Sequence, residues 1–168
     1  MIDPSLLDQV TETHLTKGYD HTSNCCEPTY PDGLDVEIMT FAALETAWRN
    51  AEEGSEREHV TLYINGRPKD FKICTVKSDV NRSHLRWTVD EPEDFRVVEK
   101  IYEALYPKRP DFDTRDILAL LDQRPELVSA NTHLIRNSGL EKSLMKDDQV
   151  ALKDSRCPKS IGLQYHAK

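Results

Sequence analysis

The chain has 168 residues with a net charge of −8, and acidic and basic side chains are interspersed along it. That balance argues against a nucleic-acid backbone or an anionic membrane as its main partner, and the N-terminus has no basic and apolar signal pattern, so the expectation is a cytoplasmic protein. The length fits one domain, although 38% hydrophobic against 31% charged residues predicts a lean core. Four cysteines show no C-x-x-C or Cys/His metal spacing, so they are expected to be unpaired reduced thiols.

Asp3-Pro4 is a cap followed by proline at a first helical position, and it opens a short amphipathic helix carrying Leu6, Leu7, Val10 and Leu15, ended by Gly18. Residues 19–24 read as a short strand, and the following segment to Gly33 contains a Pro-Asp-Gly turn. Leu34, Val36 and Ile38 alternate with Asp35 and Glu37, predicting a strand over 34–39. Its two carboxylates, Asp35 and Glu37, fit contact with sugar hydroxyls or a cation, and fit equally the solvated face of an ordinary strand.

Thr40 caps a predicted helix bearing Phe41, Leu44, Ala47, Trp48 and Ala51, with Trp48 as a core anchor. Ser55 and Glu58 have capping-box spacing for a next helix, buried through Val60, Tyr63 and Ile64 and closed by Asn65-Gly66. Within it, Arg57 suits bidentate contact with a carboxylate or phosphate and His59 suits proton transfer. A solvated first turn with a surface ion pair explains the same residues.

Residues 71–76 alternate as another strand. The stretch HLRWTVDEPEDF, His84 to Phe95, then alternates Leu85, Trp87 and Val89 with Arg86 and Thr88, predicting a central strand. Asp90, Glu91, Glu93 and Asp94 surround Pro92, and from Phe95 the apolar residues take helical spacing through Val98, Ile101, Tyr102 and Leu105. An acidic turn at the carboxyl end of such a strand suits a hard cation; equally, Asp90 suits an N-cap with Glu93 completing a capping box. A last predicted helix, capped by Asp113 or Thr114, carries Ile117, Leu118, Leu120 and Leu121.

Three of these stretches, YPDGLDVE (Tyr30 to Glu37), SEREHVT (Ser55 to Thr61) and LRWTVDEPEDF (Leu85 to Phe95), occur in the order found in the cytidylyltransferase family, which the chain resembles from Ile2 to about Leu144. The relatives in question resemble CMP-sugar synthetases, one branch of which is associated with spore-coat and other surface polysaccharides. The resemblance implies an α/β fold: the C-terminal portion of a Rossmann-like, GT-A-like nucleotide-diphospho-sugar transferase, a three-layer α/β/α sandwich with a mixed sheet. It implies transfer of CMP from CTP to a sugar, with Asp90 as a Mg²⁺ ligand, Arg57 and His59 in catalytic positions, and Asp35, Glu37 and Arg86 on the substrate. A homodimer is compatible with it.

The departure from the family is large. Its members begin with a strand and a loop rich in Gly, Ser, Arg, Pro and Lys that holds the CTP phosphates, and this chain has no G-x-G or G-K-[ST] sequence. The residue after the SEREHVT stretch is Leu62 where the family usually has proline. The expectation is therefore residues 1–144 as the C-terminal part of a cytidylyltransferase-like domain, without its nucleotide half and inactive alone, followed by a poorly ordered tail over 145–168. Strands stripped of their neighbours predict self-association. A glycosyltransferase-like enzyme using a nucleotide-sugar, and a non-catalytic subunit pairing with a separate chain, are the other readings.

Overall fold

A computed structural model of the chain describes residues 3–153. Asp3 caps α1 (Pro4–Lys17), its carboxylate accepting from the Ser5 and Leu6 amides, and Gly18 closes the helix at φ 58°. The buried stripe of α1 is Leu6, Val10 and His14; Leu15 lies on the exposed side, because the helix seats against β1 (His21–Ser23) and β2 (Glu37–Met39) through the i, i+4, i+8 positions. His14 Nδ1 meets the Thr22 hydroxyl at 3.1 Å, which satisfies both buried groups.

The sheet has three strands in the order β2-β1-β3, with β3 at Ile73–Thr75. β1 pairs antiparallel with β2, Thr22 opposite Ile38, and parallel with β3, Thr22 opposite Cys74. Consecutive residues on a strand face opposite sides. Ile38 accordingly packs into the larger apolar cluster with Leu6, Val10, Leu34, Trp87 and Ile101, while Met39 packs into a second with Ala43, Ala47, Ile64 and Phe71. Apolar layers thus cover both faces of the sheet.

Thr40 caps α2 (Phe41–Asn50) as the sequence predicts, but the helix buries Ala43 and Ala47. Trp48 is 65% exposed and Phe41 78% exposed, which overturns the expectation of Trp48 as a core anchor. The small residues face inward because they let the helix approach its neighbours closely.

The single helix expected from Ser55 to Asn65 is two short ones, α3 (Gly54–Glu58) and α4 (Leu62–Asn65), separated at His59–Thr61. Glu53 occupies the N-cap of α3; Ser55 is buried inside it, and its amide is capped from a distance by the Asp147 carboxylate at 3.0 Å. Val60, expected inside, is exposed in the break between the two helices.

The predicted central strand is also corrected. His84 lies in a turn, and residues 85–89 follow it with one isolated bridge, Asp32 to Arg86, closed by Asp32 N–H to Leu85 O at 2.9 Å and Trp87 N–H to Asp32 O at 2.7 Å. Leu85 and Trp87 point into the core as the alternation predicts, and Val89 does not. Gly33, at φ 98°, lies so close beneath this segment that a Cβ there would fall 2.6 Å from the Trp87 carbonyl carbon.

α5 (Pro92–Leu105), α6 (Thr114–Gln123, capped by Asp113) and α7 (Pro125–Ser129) complete the larger cluster through Val97, Ile101, Ile117, Leu121 and Leu127. α8 (Ser138–Lys153) lies against α3. Residues 145–153, expected in the tail, belong to this helix; the remainder of that stretch, with Cys157, lies outside the described residues.

Candidate functional site

The acidic turn is built differently from the sequence reading. Glu91, not Asp90, is the N-cap of α5, and Asp94 sits three residues on, completely buried. Arg86 grips Asp94 with two parallel bonds, Nε to Oδ1 at 2.9 Å and Nη2 to Oδ2 at 2.8 Å. Asn131 Nδ2 donates to Asp94 Oδ1 at 2.9 Å and to the Arg86 carbonyl at 3.0 Å, while the Asp90 and Glu91 amides donate to Oδ2. Burial alone would raise the carboxyl pKa of Asp94, but Arg86, Asn131 and the two amides outweigh it and hold it at about 2.

Arg86 reaches two further carboxylates, Asp32 through Nη1 at 3.0 Å and Asp90 through Nη2 at 3.2 Å. Its hydrogen bonds with Asp94 push the guanidinium pKa up further. Asp32 in turn lies 3.6 Å from Arg136 Nε, and Arg136 Nη2 donates to Asp35 Oδ1 at 2.7 Å. One charged network therefore runs Asp35–Arg136–Asp32–Arg86–Asp90/Asp94. It ties the loop after β1, the extended segment before α5, and the arm between α7 and α8 into one unit.

Beside this network stands Glu37 at the start of β2. His21 Nε2–H donates to its Oε2 at 3.0 Å from a fully buried imidazole, whose Nδ1 has no partner among the described residues. Burial raises the Glu37 pKa, but His21, the Thr61 hydroxyl and the Cys25 thiol together bring it below the ordinary value. For Asp35 burial wins: with Asp32 and Glu37 near, its pKa is raised despite Arg136. Both carboxylates keep about a third of their side chains in solvent, so they offer acceptor oxygens at a surface backed by fixed donors. Such an arrangement binds hydroxyl groups well.

The structure brings Asp35, Arg86 and Asp90 into one network with Glu37 alongside. Among the described residues, no hydrogen bond or ion pair joins Arg57 or His59 to it. Arg57 Nη1 donates to the Trp48 carbonyl at 2.7 Å and closes the end of α2. His59 Nε2 lies 3.1 Å from the buried Ser143 hydroxyl, which donates to Glu58 at 2.8 Å. These two residues, expected in catalytic positions, hold α3 against its neighbours.

Arg86, expected on the substrate, is 9% exposed and engaged by three carboxylates. Asp90 does not fit a resident Mg²⁺ site. Its carboxylate is 67% exposed and its nearest charged partner is the Arg86 cation, and no three His, Cys, Asp or Glu side chains cluster as metal ligands among the described residues. A cation held there would face a guanidinium at short range.

Sequence reading missed Asp32, Asp94, Asn131 and Arg136. Asp32 is hidden in a Pro-Asp-Gly turn, where turn chemistry already explains it. Asp94 looks like a first-turn acid complementing the helix dipole. Asn131 and Arg136 lie in a polar arm with no periodicity to mark them.

No family model matches the chain. It is 32% identical over 138 residues to Uncharacterized protein MJ1063 of Methanocaldococcus jannaschii, covering 79% of this chain and 54% of that one. It is 26% identical over 136 residues to the spore coat polysaccharide biosynthesis protein SpsF of Bacillus subtilis, covering 76% and 53%. Among solved structures, a cytidylyltransferase from Leptospira borgpetersenii serovar Hardjo-bovis superposes with a TM-score of 0.70 at 24% identity, over 76% of this chain and 53% of that one. The chain spans about half the length of the curated relatives it matches. The structural likeness shows the fold, a mixed α/β arrangement shared with part of a cytidylyltransferase.

Proposed function

We propose that the chain is the sugar-facing part of a nucleotidyltransferase of surface-polysaccharide biosynthesis, which transfers CMP from CTP to a sugar. The architecture in this reading is the C-terminal portion of a Rossmann-like, GT-A-like sandwich. The observation that carries it is the pair of partly exposed carboxylates, Asp35 and Glu37, held from behind by Arg136 and His21 in a chain that shares its fold with a cytidylyltransferase.

In the reaction a sugar hydroxyl attacks the α-phosphorus of CTP and pyrophosphate leaves. In-line displacement depends mainly on alignment of the nucleophile and on neutralisation of developing charge. Glu37 and Asp35 accept hydrogen bonds from sugar hydroxyls and fix the ring. The Arg86–Asp94 lock keeps the turn at Asp90 rigid behind them. The sequence offers no glycine-rich loop to cradle phosphates, and the described residues do not make a Mg²⁺ site, so isolated chain is expected to bind sugar without turning over CTP.

Calorimetric titration separates the halves of this reading: sugars are expected to give saturable heat, and CTP with Mg²⁺ none. Pyrophosphate release from CTP plus those sugars, lost on Asp90→Asn, contradicts the reading and restores Asp90 as a metal ligand. Locking of Arg86 by three carboxylates also favours a second reading, a non-catalytic subunit that pairs with a separate chain. Absence of any sugar binding, with CTP turnover appearing on addition of the partner chain, is the outcome that selects it.

A further inference from the structure

The surface at Asp35 and Glu37 carries a sign as well as a shape. Leu34, Val36 and Ile38 pack into the larger apolar cluster, so the residues between them, Asp35 and Glu37, project from the opposite side of the chain. Two positions apart on extended backbone sets their Cα atoms about 7 Å from each other. Each carboxylate gives one oxygen to its support, Asp35 Oδ1 to Arg136 Nη2 at 2.7 Å and Glu37 Oε2 to His21 Nε2 at 3.0 Å. A carboxylate has about four acceptor sites, so both keep capacity for a ligand.

The cations of the network are already taken. Arg86 meets three carboxylates, and Arg136 serves Asp32 and Asp35. Asp32, Asp35, Asp90 and Asp94 outnumber these two guanidiniums, and Glu37 adds a further negative charge. His21 does not redress the balance. Its fully buried ring donates through Nε2, and a second proton would place an N–H at Nδ1, where no acceptor stands among the described residues. The crowding is felt at Asp35, whose carboxyl pKa is raised by burial and by Asp32 and Glu37 against the pull of Arg136. A positive ligand relieves that repulsion and a negative one adds to it.

On the sugar-facing role proposed above for Asp35 and Glu37 rests a narrower one: we infer that the pair selects a sugar with a free, protonated amino group and rejects one with a carboxylate. A hydroxyl has one proton to give and serves one carboxylate, whereas an ammonium has three and can bridge both. Its charge makes each of those bonds about twice as strong as a neutral one. A sugar carboxylate, by contrast, finds no guanidinium of the network left unpaired. Acetylation of the amine removes the charge and leaves a single N–H, so it returns the ligand to the level of a hydroxyl.

Four related sugars test this by titration into the ¹⁵N-labelled full chain at about pH 6, where the amine is protonated: glucosamine, glucose, N-acetylglucosamine and glucuronate. Glucosamine is expected to bind at least about tenfold more tightly than glucose, N-acetylglucosamine to behave like glucose, and glucuronate to bind most weakly. Asp35→Asn and Glu37→Gln, which keep an acceptor for Arg136 and His21, should each remove most of that advantage. Glu99→Gln, which removes the same charge from the exposed side of α5, should keep it. Glucose, N-acetylglucosamine or glucuronate binding as tightly as glucosamine, or an advantage that survives both Asp35→Asn and Glu37→Gln, overturns the amino-sugar assignment and leaves the sugar-facing surface standing. Absence of binding by all four sugars overturns both.

Discussion

Asp94→Asn is the sharpest perturbation of the network. In the native chain the Asp94 carboxyl is depressed from 3.8 to about 2, a shift that corresponds to about 2 kcal/mol of preferential stabilisation of the carboxylate. The side chain is fully buried, so solvent screening is small. The amide keeps the shape but turns one oxygen into an NH₂ that faces an Arg86 N–H in either orientation, together with the Asn131 donor on one side or the Asp90 and Glu91 amides on the other, leaving a buried guanidinium with one good partner fewer. Breaking a buried pair in this way costs about 3–5 kcal/mol, against a total of about 5–15 kcal/mol for a domain of this size.

Urea denaturation followed by circular dichroism should therefore show a loss of about 3 kcal/mol. The sign of the pH dependence follows from the direction of the shift. Because the folded pKa lies below the unfolded value, the Asp94 contribution is complete above about pH 4 and declines as the pH falls toward about 2. Wild-type stability should fall by about 2 kcal/mol through that window from this group, and the Asn variant should lack that part of the slope. A cost under about 1 kcal/mol, or the same acid slope in both proteins, refutes the lock.

The remaining predictions concern positions around it. Gly33→Ala places a Cβ against the Trp87 carbonyl carbon and the Thr88 amide at a positive φ, so a loss of more than about 2 kcal/mol is expected in the same denaturation assay. Asn131→Ala removes two donors to Arg86 and Asp94 and should cost about 1–3 kcal/mol, with hydrogen exchange rising in the arm after α7. Burial pushes the Cys25 thiol to about 12, so at pH 8 native Cys25 should alkylate on the order of a thousandfold more slowly than in urea, measured by peptide mass spectrometry. Asp147→Asn weakens the carboxylate cap on the Ser55 amide, and amides of α8 should exchange several-fold faster while α5 is unaffected.

Residue pattern announced some elements and hid others for identifiable reasons. α1 is legible because Asp3-Pro4 and Gly18 perform the capping roles their chemistry favours. α5 is legible as a helix but not in its rotation. Reading apolar spacing selects Phe95 and Tyr102, while the buried line is Asp94, Val97 and Ile101, because an ion pair with Arg86 fixes which side turns inward.

Periodicity treats an aspartate as a solvent marker, so a core aspartate inverts the result. α2 misleads for the opposite reason: its large aromatics mark the outer side, and its small residues form the packing face. Of the candidate site, Asp35 and Glu37 were visible as alternating acids on a strand. Their supports, His21 and Arg136, come from 16 and 101 residues away and leave no local trace.

Central to the account is a sugar-facing surface made by Glu37 and Asp35. Titration of a neutral sugar into ¹⁵N-labelled chain, for wild type and Glu37→Gln, tests it most directly. Saturable amide shifts at residues 35–37 and 61 are predicted for wild type, with affinity at least about tenfold weaker in Glu37→Gln and an unchanged fold. Equal affinity in the two proteins, or shifts confined to the turn at Asp90, contradicts it.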